Sequence, residues 1–224
     1  AALFALLFAT GGGSAESQPQ DTAGDGTLRR IRVPILMYHY VSSLPEDADD
    51  IRIGLTVVPE TFRAQMERLR AEGFQTISLY DLHEALMWGR PLPAQPVILT
   101  FDDGYIDHYT TVFPILEEFG YSGTFFIITG RQDAGDPAYM SWAQIAEMAA
   151  AGMSMEPHTK THRDLREREH NLLVYEMLGS RESLAAHADA AGRMFAYPAG
   201  RYDDLTLSVA AELDFARAVT TEPG

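Results

Sequence analysis

The chain has 224 residues, 46% of them hydrophobic, a formal net charge of −15 and no cysteine. That length supports one sizeable core and a single folded domain. The acidic balance excludes nucleic acid and anionic membrane surfaces as partners, since no basic patch is present to release their counterions. Without cysteine there is neither a disulfide framework nor a thiolate metal site, so any metal must be held by histidine and carboxylate.

The chain opens on the apolar run "AALFALLFAT" followed by the small residues "GGGSA". Residues 1–15 read as a truncated signal peptide without its initiator Met and basic n-region, and the run is shorter than the roughly 20 residues that span a bilayer. No other membrane segment is expected. Residues 16–31, which carry the polar stretch "ESQPQDTAGDGT", read as a disordered linker. The folded domain is expected over 32–224.

Within it, short apolar runs alternate with amphipathic stretches. Strands are predicted at 32–39, 75–79, 96–101, 122–128, 153–156, 194–198 and 216–220, and helices at 59–72, 80–88, 109–119, 141–150, 167–190 and 203–212. Pro59 with Glu60, and Ser141 three residues before Gln144, are helix starts. Gly73, Gly120 and Gly152 sit just past helix ends, where a left-handed C-cap favours glycine. The rhythm is that of an α/β fold with a mostly parallel sheet, and its strands suffice to curl into a (β/α) barrel. His39, the pair Asp102 and Asp103, and His158 all fall at C-terminal strand ends, the barrel face that carries active sites.

Two stretches carry chemistry. "VILTFDDGY" (97–105) ends a buried strand in adjacent carboxylates, which is costly unless a positive group or a shared proton compensates them. "EPHTKTHRDL" (156–165) places His158 and His162 four residues apart, and on a helical turn both imidazoles would share one face, near enough to bind one ion at about 2.0–2.1 Å each. One carboxylate from the first stretch completes a His₂Asp set with an open position. Neither an H-x-x-x-H pair nor a DDG turn is specific alone; their coincidence at strand ends of one domain is.

These stretches resemble the motifs of the polysaccharide deacetylases that share the NodB homology domain, carbohydrate esterase family 4. "TFDDGY" (100–105) resembles the first family motif and "HTKTHRDL" (158–165) the second, with "FAYPAG" (195–200) and "LDFARAVTTEPG" (213–224) following in order. The resemblance implies a distorted (β/α)₇ barrel and an exported enzyme, secreted, periplasmic or held at the cell envelope. It further implies removal of N-acetyl groups from an N-acetylglucosamine polysaccharide by means of a divalent metal, with zinc first and cobalt, nickel or iron as alternatives. It assigns Asp102 as general base, Asp103, His158 and His162 as metal ligands, and the N–H of Ala199, after Pro198, as oxyanion donor. Tyr105, Trp142 and Tyr202 are candidates for stacking on sugar, and the other histidines, His83, His108, His170 and His187, are expected in solvent.

The chain departs from the family at two places. Ala196 stands where the third motif usually has an arginine, with Arg193 nearby but out of alignment, and the C-terminal Leu-x-His that supplies the general acid is absent before Gly224. A closing strand or further domain beyond Gly224 is therefore expected. Met37-Tyr38-His39 imitates Leu-x-His at the first strand, as in family members that resemble a circular permutation, and makes His39 the candidate acid. An O-acetyl esterase on xylan-like glycans and a carbohydrate-binding barrel without activity are the alternative readings. A glycoside hydrolase fits poorly, because its two carboxylates flank a bond instead of standing adjacent.

Overall fold

The computed structural model describes residues 24–222, so the run read as an export signal lies outside the described residues. The elements are β1 (Ile35–Tyr38), β2 (Tyr40–Val41), α1 (Asp50–Leu55), β3 (Thr56–Val57), α2 (Pro59–Ala71), β4 (Gln75–Thr76), α3 (Leu79–Trp88) and β5 (Pro96–Asp103). There follow α4 (Phe113–Phe119), β6 (Thr124–Ile127), α5 (Thr129–Asp133), α6 (Trp142–Ala150), β7 (Ser154–Pro157), α7 (His170–Ala188), β8 (Met194–Ala196), α8 (Asp204–Glu212) and β9 (Arg217–Val219). Each ladder between them is parallel, as the alternation of runs predicts.

β5 is the centre. It pairs with β1 on one side and with β6 on the other, β6 continues to β7, and β4 joins the first residues of β5. Its side chains alternate between two buried faces. Ile98 packs with Phe126, Met194 and Ala196, whereas Leu99 and Phe101 belong to the larger cluster with Phe62, Met66, Leu116, Phe125 and Met148 under α2, α4 and α6. Burial on both faces explains why this strand reads as an unbroken apolar run.

The barrel is distorted where β8 and β9 pair with each other and not with β7. A side chain bridges that gap. Glu156 of β7 is buried, its Oε2 accepts the Met194 N–H at 2.9 Å, and its Oε1 accepts the Ser154 hydroxyl at 2.8 Å. Burial pushes the Glu156 carboxyl up to about 7 against these hydrogen bonds.

Helix starts follow the predicted signals: Pro59 is the first residue of α2, and Ser141 and Gln144 form the capping box of α6. Between residues 40 and 57, where the sequence predicts nothing regular, lie β2, α1 and β3. They are too short for periodicity to register, and α1 depends on a cap, the Asp49 side chain accepting the Arg52 N–H at 2.7 Å. Of the segment read as linker, Asp25 and Arg29 dock on the end of α3, where Arg29 donates to the Leu86 and Met87 carbonyls.

Candidate active site

Asp102 and Asp103 close β5, and adjacent strand residues ordinarily point to opposite faces. Here the backbone turns left-handed at Asp103 (φ 78°), then at Gly104 (φ 82°), which re-aims the Asp103 carboxylate at the strand ends. Asp103 Oδ1 lies 3.5 Å from His158 Nε2 and 3.4 Å from His162 Nε2. One ligand atom from each of the three residues falls within a 4.8 Å span. The set is two imidazoles and one carboxylate, the donor chemistry of a divalent ion.

His158 shows why the set fits a metal. It is buried, and its Nδ1 donates to the Ala196 carbonyl at 2.8 Å, so the proton sits on Nδ1 and the Nε2 lone pair is free to ligate. Burial, partly opposed by Asp103, lowers its pKa to about 4, which keeps the ring in the neutral, ligating form. Asp103 Oδ1 is buried and accepts no hydrogen bond among the described residues. A cation would satisfy that oxygen.

The segment from His158 to His162 corrects the sequence expectation. It is an irregular loop and not a helical turn, with left-handed backbone at Thr159 (φ 66°) and His162 (φ 58°). The His162 N–H closes the loop on Thr159 Oγ1 at 2.9 Å. The imidazoles meet all the same, with ring centroids 4.9 Å apart, because the loop folds back where a helix would have carried them up one turn.

His39 follows β1, the neighbour of β5, and its Nε2 comes to 3.9 Å from Asp102 Oδ2. Burial first, then the neighbouring Asp103 charge, raise the Asp102 carboxyl well above the ordinary carboxylate range, while burial lowers His39. His39 is seated from behind by His108, whose Nε2 donates to the His39 carbonyl at 2.6 Å. His108 is fully buried, and His83 is 8% exposed, so the expectation that both lie in solvent is overturned. The π-type turn His108–Val112 turns the His108 ring inward under His39, and His83 packs edge-on to Trp88.

Tyr105 stands in a stack of three rings, 3.8 Å from Tyr40 and 5.0 Å from Tyr139, with the Arg52 guanidinium 3.1 Å from the centre of the Tyr40 ring. Trp142 stacks instead on His187 and donates to Asp133, and Tyr202 lies against Tyr197. Pro198 and Ala199 form a short turn directly after β8, with Ala199 left-handed at φ 53°. Asp103, Thr159, His162 and Ala199 thus all hold a conformation that disfavours non-glycine residues, and such strain collects at functional sites.

Residues 89–218 match the sequence family described as Polysaccharide deacetylase. The chain belongs to that family. The Bacillus subtilis protein YxkH, which carries a polysaccharide deacetylase name, is 32% identical over 198 residues, covering 88% of this chain and 67% of that protein. The Escherichia coli poly-beta-1,6-N-acetyl-D-glucosamine N-deacetylase is 32% identical over 131 residues, 52% of this chain but only 19% of its own length. The Streptococcus pyogenes deacetylase PplD, solved in complex with acetate, superposes with a TM-score of 0.81 at 33% identity over 87% of this chain and 85% of that one. A parallel α/β barrel of the NodB type is therefore the fold of this deacetylase.

The family's missing arginine has a visible consequence in this polysaccharide deacetylase. Ala196 offers only its backbone, and that carbonyl anchors His158. Arg193 pairs with Asp214 at 2.9 Å. Asp102 Oδ1 accepts no hydrogen bond among the described residues, so the groups that tune this carboxylate are its own burial, Asp103 and His39.

Sequence reasoning missed Glu176. It is 1% exposed on α7, and its carboxylate accepts the Lys160 N–H (3.0 Å), the Thr161 N–H (2.9 Å) and the Thr161 hydroxyl (2.5 Å). A buried glutamate within a helix that turns charged residues to solvent carries no local signal.

Proposed function

We propose that the protein hydrolyses the N-acetyl amide of N-acetylglucosamine units in an exported polysaccharide, releasing acetate. The observation that carries this reading is the Nδ1–H bond of His158 to Ala196, which leaves Nε2 free beside Asp103 and His162. Asp103, His158 and His162 hold a divalent ion, zinc by the nitrogen-rich donor set. Such an ion supplies Lewis-acid polarisation of the scissile carbonyl and a water acidic enough to attack near neutral pH.

The remaining steps belong to side chains. Asp102 is the general base and takes a proton from the attacking water as the new C–O bond forms. The Ala199 N–H, in the turn after β8, stabilises the tetrahedral oxyanion. As the C–N bond breaks, His39 gives a proton to the departing amine, and its 3.9 Å separation from Asp102 makes base and acid neighbours in one proton-handling pair. Tyr105, in its stack with Tyr40 and Tyr139, offers a ring face to sugar.

The experiment is acetate release from a panel of N-acetylated and O-acetylated glycans. Release from the amides, above all from N-acetylglucosamine polymers, supports the reading. Release from esters alone would select an O-acetyl esterase, and the absence of any release with the barrel still binding glycan would select a binding module.

A further inference from the structure

We propose that Glu176 is a positioning residue that sets His162 at ligating distance from His158. This role rests on the metal centre proposed above. Strand ends fix the other two ligands: Asp103 closes β5, and His158 follows β7 and is tied to Ala196. His162 has no such support. Its side chain is 37% exposed, and its place depends on the backbone of Thr159, Lys160 and Thr161.

That backbone is left-handed at Thr159 and at His162, each of which costs on the order of 1–3 kcal/mol and persists only where surroundings impose it. Glu176 imposes it. One of its oxygens accepts two successive N–H groups, from Lys160 and Thr161, and the other accepts the Thr161 hydroxyl. The opposite side is closed by Gly130, whose N–H donates to the Lys160 carbonyl at 2.9 Å. A buried carboxylate needs its lone pairs filled, and the donors named here all come from the loop between the two histidines. The Lys160 ammonium is engaged elsewhere, with Asp133 at 2.9 Å and Ser183 at 3.0 Å. The carboxylate therefore acts as a clamp on backbone geometry rather than as half of a salt bridge.

The test is zinc affinity of the metal-free full chain, measured by competition with a chromophoric chelator, together with the visible absorption of the cobalt(II)-loaded protein. Glu176→Gln is expected to stay within about threefold of the unaltered protein, because its amide oxygen accepts both N–H groups and its NH₂ donates to Thr161 Oγ1. Glu176→Ala is expected to weaken zinc about 10- to 100-fold, as loss of an outer partner of a metal ligand does, and to alter the cobalt band. Its far-ultraviolet circular dichroism should match the unaltered chain. If Glu176→Ala does not fold, Glu176→Asp replaces it, since a carboxylate drawn back by one methylene cannot reach both N–H groups, and at least a tenfold loss is expected.

Unaltered affinity and cobalt spectrum in the Ala or Asp variant would overturn the positioning role, as would a Gln variant impaired as severely as Ala. His158→Ala separates this from failure of the metal reading: it must lose zinc whatever Glu176 does. An unaltered protein that binds no zinc would overturn the metal centre and this role with it.

Discussion

His39 Nε2 faces Asp102 Oδ2 across 3.9 Å, although 63 positions separate them in the chain. The parallel register of β1 on β5 makes the pair, since Tyr38 lies opposite Phe101 and each catalytic candidate is the next residue. Two groups of opposite proton demand are thereby held at one barrel mouth, both largely withdrawn from water.

Asp102→Asn is expected to retain the metal and lose most turnover. Asparagine keeps the shape but cannot take the proton of the attacking water, and loss of a general base costs about 10²- to 10⁴-fold. Steady-state kinetics beside elemental analysis check this. Near-normal turnover with metal present would assign the base elsewhere.

His39→Ala should bind metal normally and lose amide hydrolysis by the factor of one general acid, about 10²- to 10⁴-fold. An activated aryl ester, whose leaving group departs without a proton, should lose much less. Equal losses on amide and ester would make His39 a substrate-positioning residue.

Substitution of Asp103, His158 or His162 by Ala should abolish metal and activity together, because a three-ligand open site has no spare ligand. Elemental analysis of His158→Ala is the sharpest case, since that side chain holds the orienting bond to Ala196. Full occupancy in that variant would remove it from the centre.

The ligands were legible because their motifs are local: two carboxylates ending an apolar run, and two histidines four apart. The strand assignments were legible for the same reason, since β5 and β6 are apolar on both faces. What holds the ligands was not. The histidine spacing suits a helix, yet left-handed residues at Thr159 and His162 give a loop, and nothing in "HTKTH" encodes that sign of φ. Glu156, Glu176 and His108 lie in segments whose polar residues ordinarily face solvent, so their burial emerges only when distant elements meet: β8 on Glu156, the ligand loop on Glu176, and the end of β1 on His108.

Gly130→Ala tests how tightly the ligand loop is held. A Cβ at Gly130 would lie 2.4 Å from the Lys160 carbonyl oxygen, a contact that backbone must relieve by moving. The variant should lose about 1–3 kcal/mol of stability in urea unfolding, and its zinc affinity should fall with the displaced loop. Unchanged values for both would show that the loop yields freely.

The most direct test of the central claim, amide hydrolysis through a metal held by Asp103, His158 and His162, is the yield of acetate and free amine from a defined N-acetylglucosamine oligomer. Metal-free and zinc-reconstituted protein are compared side by side. The account predicts acetate and amine in equal amounts with one zinc per chain, none after chelation, and recovery when zinc is restored. Equal product from the metal-free protein, or none from protein carrying one zinc per chain, would contradict it.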